Sequence, residues 1–335
     1  MRKSGSCLEI LVPELSACIH EVNDKGWNQE LTLLQVLSRA DHARSSDVKF
    51  DEYLLGACGI KVESDGYVSQ AAVLAYADSG LINSVPILCS DPVFLKGDPS
   101  RLMLFDAESI GINKSEADSL VAVLNDFFRR DGLKIWYKDP RRWFIEGLND
   151  TTYAGTSPTK LTGTPLEPDM ASRKALGGLG RIMTEAQMVL HDCEVNKRRL
   201  REEKPPVNSI WLWGAGEQPV ISKPKITVVF TNDYFSTSCA KLSGLLVRGL
   251  EDIDLSMIRD GTRGLVAIPP RYNLRETNLI LHRVITHAVS SLKSGALANL
   301  LIVSDRNTFL LDRRMLRRFW RRKKSLMRSI AEKIQ

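Results

Sequence analysis

The sequence predicts an α/β protein: a layered sheet with flanking helices, mixed α+β in its N-terminal part. Three observations carry this. After residue 180, apolar strand patterns alternate with helical ones, as an α/β layer requires. Ahead of them runs a strand–strand–helix–strand–strand order, which suits a sheet with one covering helix. The chain, 335 residues with 43% hydrophobic and 26% charged side chains, is long enough for more than one core.

Taken in order, residues 1–80 read mainly as helix. QELTLLQVLSRAD has apolar residues at helical spacing, and SQAAVLAYADSG ends in a glycine suited to stopping a helix. PVFLKGDPSRLMLFD reads as two strands around Gly-Asp-Pro. In NKSEADSLVAVLNDFFRRDG, Asn113 and Glu116 form a capping-box signature, with Ala117, Leu120, Leu124 and Phe127 on one face. LKIWYKDPRRWFI is a second strand pair around Asp139-Pro140. Residues 147–178, rich in Gly, Thr, Ser and Pro, read as a linker. One long helix is expected from Gly180 to Glu203, with Ile182, Ala186, Val189 and Cys193 on one side. Strands NSIWLW and ITVVF follow, then helices over SCAKLSGLLVRG and LILHRVITHAVSSLKSG, then ANLLIVSD and TFLLD as strands. The domain reading is residues 1–146, a linker 147–178, an α/β domain 179–311 and a basic tail 312–335.

The net charge of +6 belongs to that tail, where ten Lys and Arg between Asp312 and Gln335 face two acidic residues. The six cysteines, scattered and without a CxxC pair, point to a reducing cytoplasm and to neither zinc nor a disulfide framework. LSAC at Leu15–Cys18 resembles a lipoprotein cleavage site, but Glu9 and Glu14 interrupt the apolar core such a signal needs. No apolar run reaches the roughly 18–20 residues of a membrane span.

NSIWLWGAG is the segment closest to chemistry. A strand ending in glycines can bring backbone N–H groups to a phosphate. GAGEQPV nevertheless lacks a third glycine and a P-loop Lys-Ser/Thr, and Pro219 opposes a helix there. The plainer reading is a strand packed by Trp211 and Trp213 on one face, closed by a glycine turn. His20, His42, His191, His282 and His287 show no metal spacing; the last two are five apart on a helix, not four. The tail DRRMLRRFWRRKKSLMRSIAEKIQ, read as a helix, carries a broken apolar stripe through Leu316, Phe319 or Trp320, Met327, Ile330 and Ile334. Such a segment suits an anionic surface, nucleic acid or an acidic groove, or else packs its aromatics on the body.

HDCEVNKRRLREEKPPVNSIWLWGAG resembles a stretch of the cofactor-independent phosphoglycerate mutases, H-P-x-N-x-x-R followed by K-P-x-N-x-I-W-L-W-G-x-G. It is still more similar to the RpfE-type bacterial regulatory proteins related to them. DPVFLKGD, EADSLVAVLNDFFRRDG, RRWFI, TEAQMVLHDCEVN and RRFWRR add to the likeness, which runs from about residue 85 to residue 322. Phe94 stands where the family commonly has His, and Cys193-Glu194 depart from its pattern. The resemblance implies an alkaline-phosphatase-like mutase scaffold in part. In the enzymes it also implies a Ser or Thr nucleophile at two metal ions held by Asp and His. Here the late Ser-Asp-His would be Ser304-Asp305-Arg306, with a permanent cation in place of an imidazole; VSDRNTF reads equally as a hairpin turn.

The expectation is therefore a cytoplasmic, non-catalytic regulatory or accessory protein, with no catalytic residues, metal or cofactor. Arg198, Asn208, Trp211, Trp213, Gly214 and Gly216 are the candidates for holding an anionic or phosphorylated small molecule. The alternatives are a metal-dependent phosphomutase or phosphohydrolase, and a binder of nucleic acid or an acidic protein. The last would act through Arg317, Arg318, Phe319, Trp320, Arg321 and Arg322.

Overall fold

The computed structural model describes residues 5–19, 31–44, 48–61, 67–80, 86–97, 101–148, 155–166, 178–258, 261–270 and 273–318. The chain opens with strand β1 (Cys7–Leu11), helix α1 (Leu31–Arg39), β2 (Asp41–Arg44), α2 (Phe50–Cys58) and β3 (Ile60–Lys61). Next come α3 (Gln70–Ser79), β4 (Ile87–Gly97), β5 (Leu102–Phe105), α4 (Ala107–Ile110), α5 (Lys114–Phe128), β6 (Lys134–Asp139) and β7 (Arg142–Glu146). Helices α6 (Pro158–Leu161), α7 (Gly178–His191) and α8 (Glu194–Arg201) lead to β8 (Ser209–Trp213). The chain finishes through β9 (Val220–Ile221), β10 (Val228–Phe230), α9 (Tyr234–Leu242), β11 (Leu246–Arg248), β12 (Arg263–Ala267), α10 (Leu274–Ser294), β13 (Asn299–Val303) and β14 (Asn307–Asp312). The predicted class, layered α/β, is what these elements form.

Two compact units result, one of Met1–Lys61 with Ile221–Gln335 and one of Val62–Val220. This differs from the contiguous division at 146 and 178 expected from sequence. The reason is β1, which lies between β12 and β13 and pairs with both in parallel, so the first residues and the last third share one sheet.

The first unit holds a seven-stranded sheet in the order β11-β10-β12-β1-β13-β14-β2. Strands β11, β10, β12, β1 and β13 run parallel; β14 returns antiparallel, and β2 pairs antiparallel with it. Leu8 and Ile10 of β1 join Val266, Ile302, α1 (Leu34, Leu37) and α10 (Leu281, Ile285) in the main core. Glu9 points the other way and is nonetheless buried, its carboxylate accepting from Tyr53 (2.8 Å) and paired with Arg263 (3.0 Å). CLEIL is thus a central strand, in a region read from sequence as mainly helical. The partners that neutralise its buried acid come from residues 53 and 263, outside any local window.

The second unit is an antiparallel five-stranded sheet, β5-β4-β7-β6 with β8 added along β4. The strand–strand–helix–strand–strand order holds, and β8, expected in a later domain, completes it. Ser69 caps α3 by accepting from Ala72 N, and Gly80 closes it in the left-handed conformation. The capping box of α5 is made in both directions, each bond 3.0 Å. The expected long helix is instead α7 and α8, broken at Cys193. Asn196 Nδ2 takes the carbonyl freed at the break, that of Leu190 (2.7 Å), and also bonds Val207 O (2.8 Å). SCAKLSGLLVRG likewise divides, into α9 and the strand β11. Among the described residues no helix is long and apolar enough to cross a membrane.

Candidate functional site

Ser209–Trp213 is strand-forming by composition, with Ile and Trp dominant, and all five residues are buried. It pairs antiparallel with β4, Trp213 opposite Cys89 and Trp211 opposite Asp91. Asn208 extends the pairing by one step: its Oδ1 accepts from Leu95 N (2.8 Å) and its Nδ2 donates to Leu95 O (2.9 Å). Trp211 Nε1 donates to Thr156 O at 2.9 Å. Trp213 Nε1 donates to Asp91 Oδ2 at 2.8 Å, while Asp91 Oδ1 accepts from Trp143 N at 3.1 Å.

Asp91 is the functional-looking side chain that sequence reasoning passed over. Asp91-Pro92 reads locally as the start of a strand, whereas β4 begins at Ile87 and buries the carboxyl to 6% exposure. Burial pushes this carboxyl up to about 7, against the downward pull of the Trp213 bond, of Arg142 and of Trp143 N. A carboxyl poised there is a common mark of functional sites, though buried structural networks produce it too.

The glycines answer to the chain itself. Gly214 has φ +79° and a Cβ there would lie 3.0 Å from Ala71 N; Gly216 has φ +155° and a Cβ would lie 2.5 Å from Tyr67 O. Residues 67–71 fill the approach a phosphate would need. Ala71 N donates to Gly214 O (3.0 Å), Glu217 N to Tyr67 O (2.8 Å) and Ser69 N to Glu217 O (2.8 Å). Of the two neighbouring arginines, Arg198 is exposed on α8, and Arg199 is the one bound into the interior. Arg199 is fully buried, pairs with Glu116 at 2.8 Å, donates through Nε to Pro205 O at 2.7 Å and bonds Ile110 O. On an unbroken helix Arg199 would lie about half a turn from Leu190, on the solvent side; the break at Cys193 rotates it inward.

In α/β sheets ligands bind outside the carboxyl ends of the parallel strands. In the first unit this edge carries Glu14 after β1, Thr231-Asn232-Asp233 after β10, and Ser304-Asp305-Arg306 after β13. Asp233 caps α9, accepting from Ser236 N and Oγ, each at 2.7 Å. Thr231 Oγ1 donates to Ala267 O (3.0 Å) and accepts from Asp233 N (3.0 Å). Asn232 accepts from Leu250 N (2.9 Å) and donates to Glu251 (3.1 Å). Ser304 N and Oγ both donate to Asn307 O, closing the β13–β14 hairpin turn. Arg306 brings a cation to this edge.

Among the described residues, the donor set does not assemble the two-metal centre that the mutase resemblance implies. Among the described residues no three His, Cys, Asp or Glu side chains converge as a metal site. His42 bonds Asn307 Oδ1 (2.7 Å) and stacks on Phe309, His191 and His287 are exposed, and His20 lies outside the described residues. So do Phe319, Trp320, Arg321 and Arg322, whereas Arg317 and Arg318 are described.

No protein-family model matches the chain. Over 64 residues it is 36% identical to the 2,3-bisphosphoglycerate-independent phosphoglycerate mutase of Methanosarcina barkeri, covering 19% of this chain and 16% of that protein. Over 94 residues it is 31% identical to a probable enzyme of the same name from Geobacter sulfurreducens, covering 28% of this chain and 22% of that one. The matches therefore span about a fifth of those relatives' length. Among solved structures, the PH0037 protein of Pyrococcus horikoshii shares the fold, with a TM-score of 0.54 at 14% identity over 93% of this chain and 88% of that one. A cofactor-independent phosphoglycerate mutase of Thermoplasma acidophilum gives a TM-score of 0.47 at 14% identity, over 92% of this chain and 90% of that one.

Proposed function

We propose that this chain is a non-catalytic regulatory or accessory protein of the cytoplasm, built on a phosphoglycerate-mutase-like scaffold and akin to the RpfE-type regulators. One observation carries the reading: Thr231, Asn232, Asp233 and Ser304, at the sheet's carboxyl edge, are committed to the fold. Asp233 caps a helix, Thr231 and Asn232 tie loops, and Ser304 closes a turn. A nucleophile and metal ligands must be held ready for substrate, not consumed in capping. An anionic ligand at Trp211–Gly216 would further require residues 67–71 to leave the glycines.

The second reading is a metal-dependent phosphomutase or phosphohydrolase, favoured by the local identity to two phosphoglycerate mutases. Turnover separates the two. Full-length protein supplied with Mn²⁺ or Mg²⁺ is assayed for phosphoglycerate isomerisation and phosphate-ester hydrolysis. No activity above the metal-only rate is expected. Turnover that is lost in Asp305→Ala or His191→Ala would overturn the proposal.

A further inference from the structure

We propose that the turn following β14 is a docking surface for the phosphate backbone of nucleic acid, read without regard to sequence. It goes beyond the function proposed above and stands on a different part of the molecule. Asp312 Oδ1 accepts from Met315 N at 2.9 Å and starts a single 3₁₀ turn, Met315–Arg317. Met315 is buried and Leu316 packs on the main core of its unit. Two arginines then clasp the turn from either side. Arg39 Nη1 donates to Leu316 O (3.1 Å), and Arg318 Nη1 donates to Arg39 O (3.3 Å) and pairs with Asp41.

Arg318 is thereby part of the frame and does not face a ligand, which corrects its place among the tail candidates. What the clasp presents outward is Arg313, Arg314 and Arg317, all exposed. None of the three forms an ion pair with a described carboxylate. Three exposed guanidinium groups within five residues, with no described carboxylate paired to them, make a positive surface that a polyanion complements. The sequence that continues from this turn is strongly basic too, with six cations against one acid from Phe319 onward.

A guanidinium fork binds phosphate bidentately, as it does carboxylate, and a nucleic-acid backbone offers closely spaced phosphates that several arginines can neutralise at once. A bilayer fits less well: the turn's own apolar residues, Met315 and Leu316, point into the protein, leaving guanidinium groups outward and nothing of the turn to insert.

The test uses the full chain and a fluorescently labelled DNA duplex of arbitrary sequence, titrated by anisotropy from about 50 to 200 mM salt. Binding is expected to weaken steeply with salt. In the triple variant R313A/R314A/R317A the log–log salt slope should shrink by about 2.7, at about 0.9 for each phosphate no longer neutralised. Affinity at low salt should fall roughly tenfold or more. Arg317→Ala alone should remove about 0.9 of the slope, which guards against misfolding of the triple variant. The proposal is overturned if the wild type does not bind the duplex, or if both variants keep the wild-type slope. It is equally overturned if polyglutamate or phosphatidylserine vesicles bind the chain while the duplex does not.

Discussion

Replacing Asp91 by Asn should change the sign of its effect on stability with pH. The wild-type carboxyl sits near 7 in the folded chain, against 3.8 for the unperturbed side chain, because burial penalises its charge. The folded state therefore holds this proton more tightly than the unfolded state does. Its stabilising contribution is fully present below about pH 4 and is lost as pH rises through about 7. A displacement of about three units is worth about 4 kcal/mol in all, of which about 3 falls between pH 5 and pH 9. The amide carries no charge to desolvate. It keeps an oxygen for Trp213 Nε1 but offers Trp143 N a donor in place of an acceptor, costing about 1–2 kcal/mol at every pH. Asp91→Asn is thus expected to be less stable than wild type by about 1–2 kcal/mol near pH 5 and more stable by about 1–2 kcal/mol near pH 9. Urea unfolding followed by tryptophan fluorescence at both pH values measures the difference, and other titrating groups cancel between the two proteins. An equal penalty at both would refute the reasoning that the carboxyl is charged only at a cost.

Other substitutions test the packing assignments. Arg199→Ala should cost about 3–5 kcal/mol by stranding Glu116, while Arg198→Ala should stay within about 0.5 kcal/mol; equal losses in chemical denaturation would contradict the assignment of α8's buried face. Gly216→Ala, with both a left-handed φ and a backbone clash, should lower stability by at least about 1–3 kcal/mol. A thermally unchanged variant would mean that residues 67–71 do not press on the turn. Tyr53→Phe removes a hydrogen bond to the buried Glu9 carboxylate and should cost about 1.5–3 kcal/mol, checked by the same unfolding measurement.

The elements legible in the sequence are those whose signals are local. The Asn113–Glu116 box, the Gly80 helix stop, the Asp139-Pro140 turn and the Ser304–Asn307 turn each lie within a few residues of what they specify. What escaped depends on distant partners. β1 is a strand because β12 and β13 flank it, and its Glu9 is tolerated because Tyr53 and Arg263 reach it. The break between α7 and α8 contains neither Gly nor Pro; a side chain beyond it, Asn196, receives the freed carbonyl, so the buried arginine is Arg199 and not Arg198. At the candidate site the two tryptophans and the glycine turn were visible as a packed strand end. Asp91 was hidden because its donors come from residues 143 and 213.

Manganese binding to the full-length chain tests the central claim most directly. Calorimetric titration of protein purified without chelator, alongside a thermal melt, should show no saturable site and no rise in melting temperature. Two tight sites per chain, with the stabilisation of about 2.7 kcal/mol per site expected at a hundredfold excess over Kd, would contradict an edge whose Thr231, Asn232, Asp233 and Ser304 are committed to the fold.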